Sequence, residues 1–170
     1  MLYTIGHSNH SIEKFLLLLK QYNINKIVDV RSYPNSKYNP QFNKDNLAQS
    51  LLRNNIDYLW MGWCLGGLWD DKDLYTDGKL NVDKMEKMET YQNGIKNLIN
   101  MGTINAEKTA IMCSEENPEK CHRGYVICQT LIDYNCEVWH IRGDGNLEEV
   151  KKIIKQIIKQ INLFEKENLE

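Results

Sequence analysis

Two cysteines, a histidine and an arginine fall within the eleven residues from Cys113 to Arg123, and this segment holds the densest chemistry of the chain. Cys113 ends a predicted strand and precedes a predicted helix start, where unpaired amides and the helix dipole stabilise an anion. We therefore interpret Cys113 as a nucleophilic or redox thiol with a pKa below the free value of about 8.5. The alternative is a small cysteine that packs under the loop, since free cysteine is among the most often buried residue types.

Cys121, His122 and Arg123 fall in the first turns of that helix, which Asn117 and Pro118 are suited to begin. Three consecutive residues cannot share one helical face, so at most two of them should point into the same pocket. Cys121 shares a helical stripe with later apolar residues, which predicts a core position. His122 is interpreted as a proton carrier and Arg123 as an anion clamp, against the alternative of an ordinary polar helix start.

Arg31 is the second predicted anion contact. In Asp29-Val30-Arg31 the two charges are two positions apart on a strand, so they share a face and can pair. An aspartate in so apolar a strand needs a partner, because an unpaired buried charge is unfavourable, and Arg31 could serve that purpose alone. At the strand end its guanidinium also suits a carboxylate or phosphate, and Ser32 and Ser36 would supply further donors.

Other candidates follow the first, third and fourth predicted strands. His7 comes after a strand-ending glycine and is either a second proton carrier or an ordinary hydrogen-bonding loop residue. Gly66 and Gly67, in a glycine-rich stretch between tryptophans, are assigned to ligand binding together with Glu115. The tryptophans could line a pocket or stack a base, or they could belong to the core. As a loop carboxylate, Glu115 would also oppose a thiolate at Cys113.

Short β-type runs alternate with helical patterns along the chain. This predicts strands at about residues 2–5, 26–30, 57–60, 109–112 and 137–141. Strands separated by helices favour a parallel sheet with helices on both faces. We therefore predict a single three-layer α/β domain over residues 1–170, with a mostly parallel sheet of about five strands. Ligands of such sheets bind beyond the carboxyl ends of the strands, where the candidate side chains collect.

Two further segments are predicted from composition and period. Residues 68–80 are polar and turn-rich and fit no period, which favours a long loop or lid. A long amphipathic helix is expected at the end of the chain. Its apolar stripe consists of Val150, Ile153, Ile154, Ile157, Ile158 and Ile161.

The composition limits the partners and the compartment. The chain of 170 residues has a formal net charge of −2, so no sequence-wide attraction to nucleic acid exists. The sequence shows neither a signal-peptide pattern nor an apolar run of about 18 residues, which predicts a cytoplasmic protein with no membrane partner. In that compartment the five cysteines are expected to be reduced.

The candidate residues lie in an ordered series of short motifs. In chain order these motifs are Thr4-Ile5-Gly6-His7-Ser8, Asp29-Val30-Arg31-Ser32 with Pro34 and Ser36, Leu65-Gly66-Gly67, Cys113-Ser114-Glu115 with Pro118, Cys121-His122-Arg123, and His140-Ile141. Together they resemble the motifs of the domain-of-unknown-function family 488. The resemblance implies an α/β fold and leaves the reaction open; Ser114 departs from the small apolar residue expected there. Rhodanese-type sulfurtransferases are a weaker likeness, because Cys113 stands ten residues before Arg123 and their cysteine loop is shorter.

Three functions are open at this point. The first is a thiol-dependent enzyme acting on a small anionic molecule or nucleotide, with Cys113 as nucleophile and His122 or His7 as proton carrier. The second is a module that binds a nucleotide or a nucleic-acid end without turnover, nucleic acid being the less favoured ligand. The third is a metal site built from Cys113, Cys121 and His122. The Cys-x7-Cys-His spacing fits no common zinc pattern, so we expect no metal and no cofactor.

Overall fold

The computed structural model of the chain describes residues 1–103 and 107–152. The strands are β1 (Leu2–Gly6), β2 (Lys26–Asp29), β3 (Asp57–Trp60), β4 (Tyr75–Thr76), β5 (Lys79–Leu80), β6 (Thr109–Cys113), β7 (Val138–Ile141) and β8 (Leu147–Glu149). The helices are α1 (Ile12–Gln21), α2 (Lys44–Leu52), α3 (Gly62–Leu65), α4 (Val82–Met85), α5 (Glu89–Thr103) and α6 (Gln129–Asp133). A π-helical segment at Arg123–Cys128 leads directly into α6.

Six of the strands form one sheet in the order β3-β2-β6-β1-β7-β8. All neighbouring pairs are parallel except β7 and β8. Because residues alternate between the faces of a strand, the buried side chains divide into two clusters. One cluster contains Phe15, Leu18 and Leu19 of α1 with Leu47 and Leu51 of α2, and the other contains Tyr91, Ile95 and Leu98 of α5 with Leu131 of α6. The predicted α/β fold with a mostly parallel sheet and helices on both faces is therefore confirmed.

The segment between β6 and α6 differs from the predicted helix start. Asn117 does act as a cap, since its side-chain oxygen accepts from the Glu119 N–H at 2.9 Å, but the cap begins only a 3-10 turn at Pro118–Lys120. The chain then extends at Cys121 before it becomes helical. The turn packs closely on that helix, because a Cβ at Gly124 would lie 2.1 Å from the Pro118 carbonyl oxygen.

Two further segments differ from the expectations. Residues 68–80 contain a 3-10 turn at Lys72–Leu74 and the hairpin of β4 and β5, so this part of the chain has regular structure of its own. The sixth strand, β8, was not predicted, and Val150 continues its pairing because the Val150 N–H donates to the Val138 carbonyl at 3.1 Å. The rest of the predicted terminal helix, from residue 153 on, lies outside the described residues. No helix within residues 1–103 and 107–152 has both the length and the apolar character needed to cross a membrane.

Two buried histidines at the sheet predict acid sensitivity. Burial, together with a nearby arginine, lowers the pKa of both His7 and His140 to about 4. An unfolded histidine titrates near 6.5, so between these values the unfolded chain binds protons that the folded chain does not. Stability should therefore be unaffected by these groups above about pH 7 and fall as the pH drops from 6.5 towards 4, by about 2 kcal/mol for each histidine at pH 5.

Urea unfolding of the wild type and of His140→Gln at pH 7.5 and pH 5 would test this expectation. The variant should lose about 2 kcal/mol less than the wild type between the two pH values. Equal losses would show that His140 does not contribute to the acid response.

Candidate functional site

A cavity of about 290 Å³ lies at the carboxyl ends of β2 and β6. It is called the thiol pocket below. Six residues that the sequence analysis assigned to a site line it, namely Arg31, Ser32, Gly67, Cys113, Glu115 and His122. The rest of the wall consists of Tyr33, Leu68, Ser114, Lys120, Cys121 and Tyr125. Side chains that follow β2 and β6 thus line one cavity at the edge of the sheet where the strands end.

Cys113 is positioned by the middle of the sheet. Strand β6 pairs with β1 on one side and β2 on the other, with Gly6 opposite Cys113. The pairing continues past the strand ends, because the His7 N–H donates to the Cys113 carbonyl at 3.0 Å and the Val30 N–H donates to that of Met112, also at 3.0 Å. The backbone of Cys113 is therefore held from both sides.

The two sulfur atoms of Cys113 and Cys121 lie together in the pocket, and both residues are buried. A hydrogen bond from Cys113, assisted by His122 and the charge of Arg123, holds the pKa of the Cys121 thiol well below its usual value. The thiolate partner Cys121 and burial raise the pKa of Cys113 well above its usual value, and Glu115 acts in the same direction. The prediction of a lowered pKa at Cys113 is therefore wrong, because Cys113 keeps the proton that Cys121 gives up.

Cys121 lies at the start of the helical segment rather than on one of its faces. Its carbonyl accepts from the Gly124 and Tyr125 N–H groups at 2.8 and 3.2 Å, so it caps the helix. The prediction of a plain core position rested on a regular helical stripe. Because the helix begins only after Cys121 and opens with a π-turn, that stripe does not include it. Cys121 is buried as predicted, but it also lines the thiol pocket.

His122 completes the group, and its proton position follows from its contacts. Its Nε2 lies 3.2 Å from the Val30 carbonyl oxygen, which can only accept, so Nε2 carries a hydrogen. In the neutral ring, Nδ1 then presents its lone pair 3.8 Å from the Cys113 sulfur. The absence of a side chain at Gly67 leaves room for this ring, because a Cβ there would lie 3.1 Å from Nδ1.

Arg123 does not lie on the pocket wall, contrary to its predicted contact with a ligand. It is fully buried and donates to the carbonyl oxygens of Glu115 at 2.5 Å and Glu116 at 2.8 Å, and more weakly to the Thr4 hydroxyl. These contacts use the three nitrogens of its guanidinium to hold the loop after β6. Among the described residues no carboxylate pairs with Arg123, and its charge instead helps to stabilise the Cys121 thiolate.

Arg31 does line the pocket, although most of its hydrogen-bonding capacity is used elsewhere. Its Nε and Nη2 donate to the two oxygens of Asp29 at 2.9 and 2.6 Å, and Nη2 also donates to the Phe42 carbonyl. Its Nη1 donates to Nε2 of His7, which must accept because Nδ1 of that ring donates to the Ser8 carbonyl. Four of its five N–H groups thus have acceptors within the described part of the chain, and one on Nη1 is left for the pocket.

The remaining candidates divide between the pocket and its surroundings. His7 does not line the pocket; it stacks on Phe42 with ring centroids 4.3 Å apart and holds Arg31 in place. The Ser32 hydroxyl accepts from the Leu68 N–H at 2.9 Å at the pocket edge. Ser36 lies outside the wall, where its hydroxyl accepts from the Tyr38 N–H. Gly66 also lies outside it and allows a close approach, since a Cβ there would come 2.4 Å from the Ser32 oxygen.

Sequence reasoning did not assign five residues of the wall to the site, namely Tyr33, Leu68, Ser114, Lys120 and Tyr125. The first four adjoin Ser32, Gly67, Cys113 and Cys121 in the sequence, and Tyr125 lies one turn further along the helix. Their positions beside predicted site residues were the available signal. The tryptophans, in contrast, do not line the thiol pocket.

The cysteines and His122 are also a potential metal-binding group. The ligand atoms of Cys113, Cys121 and His122 all lie within 4.8 Å of one another. Within residues 1–103 and 107–152, these three side chains are the histidine, cysteine and acidic residues that lie close enough together to hold a metal ion. The sequence spacing that argued against a metal site does not prevent this arrangement, because the 3-10 turn at Pro118–Lys120 folds the loop back onto Cys113.

A comparison with protein families shows one match, to the family described as Domain of unknown function DUF488, over residues 11–129. No curated protein and no solved structure matches the chain. The matched range contains all of the residues that line the thiol pocket, whereas β1 lies before it.

Proposed function

Because the chain belongs to the DUF488 family, whose description assigns no reaction, we propose its function from the pocket itself: a thiol-dependent enzyme that acts on a small anionic molecule. The observation that carries the proposal is the position of Cys121. Its sulfur lies at a helix start, beside the Cys113 sulfur and the His122 ring, on the wall of a cavity. Helix-start amides favour an anion, and a base beside a nucleophile is the usual arrangement of covalent catalysis.

The proposed roles differ from those expected from the sequence. Cys121 would act as the nucleophile and Cys113 as the proton donor, whereas the sequence predicted Cys113 as the nucleophile. The Cys121 sulfur would form a bond to an electrophilic atom of the substrate. The leaving group would depart with the electron pair of the broken bond and accept the proton carried by Cys113. His122 would keep the two sulfur atoms in place and hold its own proton on Nε2 against Val30.

The preference for an anionic substrate rests on the charges at the pocket. Lys120 is exposed and lines the pocket, and Arg31, which has one N–H without an acceptor in the described part of the chain, lines it as well. Asp29 balances most of the Arg31 charge, so Lys120 supplies the uncompensated charge. Glu115, also exposed on the wall, would repel an anion and confine it to the side of Lys120.

We expect Cys121 to be the most reactive thiol of the reduced, metal-free protein at neutral pH. Alkylation with iodoacetamide, followed by peptide mapping with mass spectrometry, should modify Cys121 at least about tenfold faster than the half-buried Cys136. The variant Cys121→Ser should abolish the fast phase, and the matched variant Cys136→Ser should leave it unchanged. Inorganic phosphate should slow the fast phase in the wild type and less so in Lys120→Ala.

If Cys121 reacts no faster than Cys136, the nucleophile assignment is wrong. A module that binds a nucleotide without turnover predicts a different result: isothermal titration calorimetry would show phosphate binding that Lys120→Ala weakens, while the thiols show no selective reactivity.

A further inference from the structure

The three ligand atoms of the thiol pocket have the spacing of a metal site. In a tetrahedral centre with Zn–S near 2.3 Å and Zn–N near 2.0 Å, ligand atoms are separated by roughly 3.5 to 3.8 Å. The Cys113 sulfur and His122 Nδ1 are 3.8 Å apart, and no two ligand atoms of Cys113, Cys121 and His122 are more than 4.8 Å apart. Small side-chain adjustments would therefore bring all three onto one ion.

His122 has the orientation that metal-binding histidines need. Such a ring usually donates its other N–H to a carboxylate or a backbone carbonyl, which fixes the tautomer and aims the free lone pair at the metal. Here Nε2 donates to the Val30 carbonyl at 3.2 Å, and Nδ1 faces the Cys113 sulfur. The backbone at Val30, directly after β2, thus already positions the ring.

The ligand types select the kind of ion. Two thiolates and an imidazole suit zinc and similar borderline-soft divalent metals, whereas calcium and magnesium require oxygen ligands. Three protein ligands on a pocket wall leave one position of a tetrahedron towards the cavity. The Cys113 thiol donates to the Glu115 carboxylate at 3.3 Å, and a cysteine must lose its proton when it binds a metal ion.

We propose that Cys113, Cys121 and His122 bind one divalent transition metal ion of the zinc type. Binding forms two sulfur–metal bonds and one nitrogen–metal bond, and the Cys113 proton is released. Because the ion occupies both sulfur atoms, it would silence the thiol chemistry of the same pocket; this regulatory consequence alone rests on the proposed function. Metal binding itself does not depend on any reaction.

Cobalt titration of the full chain, reduced and treated with a chelator that is then removed, tests the proposal. Co²⁺ should bind at one ion per chain and give the thiolate-to-cobalt charge-transfer absorption and the visible bands of a tetrahedral site, and Zn²⁺ should displace it. Cys113→Ser and Cys121→Ser should each lose the charge-transfer intensity. The half-exposed His122 should tolerate replacement, so His122→Gln should keep its fold by circular dichroism and bind at least about tenfold more weakly. The matched control Cys136→Ser should bind as the wild type does.

The outcomes separate this proposal from the proposed function. A wild type without the charge-transfer band, or a folded His122→Gln with unchanged affinity, would overturn the metal site and leave the alkylation result untouched. A cobalt site with these ligands, in a protein whose metal-free Cys121 is no more reactive than Cys136, would support the metal site and overturn the thiol enzyme. If both hold, stoichiometric Zn²⁺ should protect Cys121 from iodoacetamide, and a chelator should restore its reactivity.

Discussion

Replacing Gly6 by alanine should lower the free energy of unfolding by about 4 kcal/mol or more, or prevent folding altogether. A Cβ at this position would lie 1.9 Å from the Glu115 carbonyl oxygen and 2.8 Å from the Glu116 Cα. These are backbone atoms of the loop that carries the thiol pocket, and Arg123 donates to the same Glu115 carbonyl. The loop has no side-chain rotamer that could relieve the overlap, so either the strand end or the loop must move.

Urea unfolding of Gly6→Ala and of the control Gly143→Ala would measure the effect. A Cβ at Gly143 would meet only side-chain atoms of His10 and Glu116, at 3.0 Å and beyond, and these can shift. The control should therefore change stability by less than about 1 kcal/mol. Near-equal losses in the two variants would mean that the loop is not packed on β1 as the structure shows.

Replacing Arg123 by methionine should cost about 3 kcal/mol of stability. Hydrogen bonds from a charged group contribute about 1.5 to 3 kcal/mol each, and the substitution also leaves the carbonyls of Glu115 and Glu116 without their donors. Methionine fills a similar apolar volume, so the loss reports mainly on the polar contacts. The same variant should lose the fast alkylation of Cys121, because the buried charge that helps to stabilise its thiolate is removed.

The exposed Arg53 at the end of α2 provides a matched control, and Arg53→Met should change stability by less than about 0.5 kcal/mol. Arg123→Lys keeps the charge but cannot reach both carbonyls in a fixed fork. It should therefore recover more of the Cys121 reactivity than of the stability. A stable Arg123→Met with an unchanged alkylation rate would contradict both roles.

The fold was accessible from the sequence because its determinants are local. Buried parallel strands are short apolar runs, and α1 begins at Ser11, whose hydroxyl accepts from the Lys14 N–H as a cap should. The pairing of Asp29 with Arg31 followed from the two-residue period of a strand. Strand β8 was missed because all three of its residues are exposed and two are glutamates, so no apolar pattern marks it.

The roles within the site were less accessible. Arg123 binds backbone carbonyls, which every residue has, so no neighbouring side chain indicates its partners. Cys121 was assigned to the core because a regular helical period was applied across a turn and a π-helical segment that do not follow it. The lowered pKa belongs to Cys121 and not to Cys113 because the two thiols contact each other. Only the folded loop creates that contact.

The position of β6 between β1 and β2 has a consequence for how the two thiols move. Amides in the middle of a sheet exchange with solvent only when the whole domain opens, whereas loops open locally at much lower free energy. Cys113 ends the central strand and Cys121 ends the turn at Pro118–Lys120, so the two sulfur atoms belong to regions of unequal local stability. Local opening of the loop would separate the pair while the sheet stays intact. The rate of any reaction that needs both sulfur atoms is therefore proportional to the fraction of molecules in which the loop is closed.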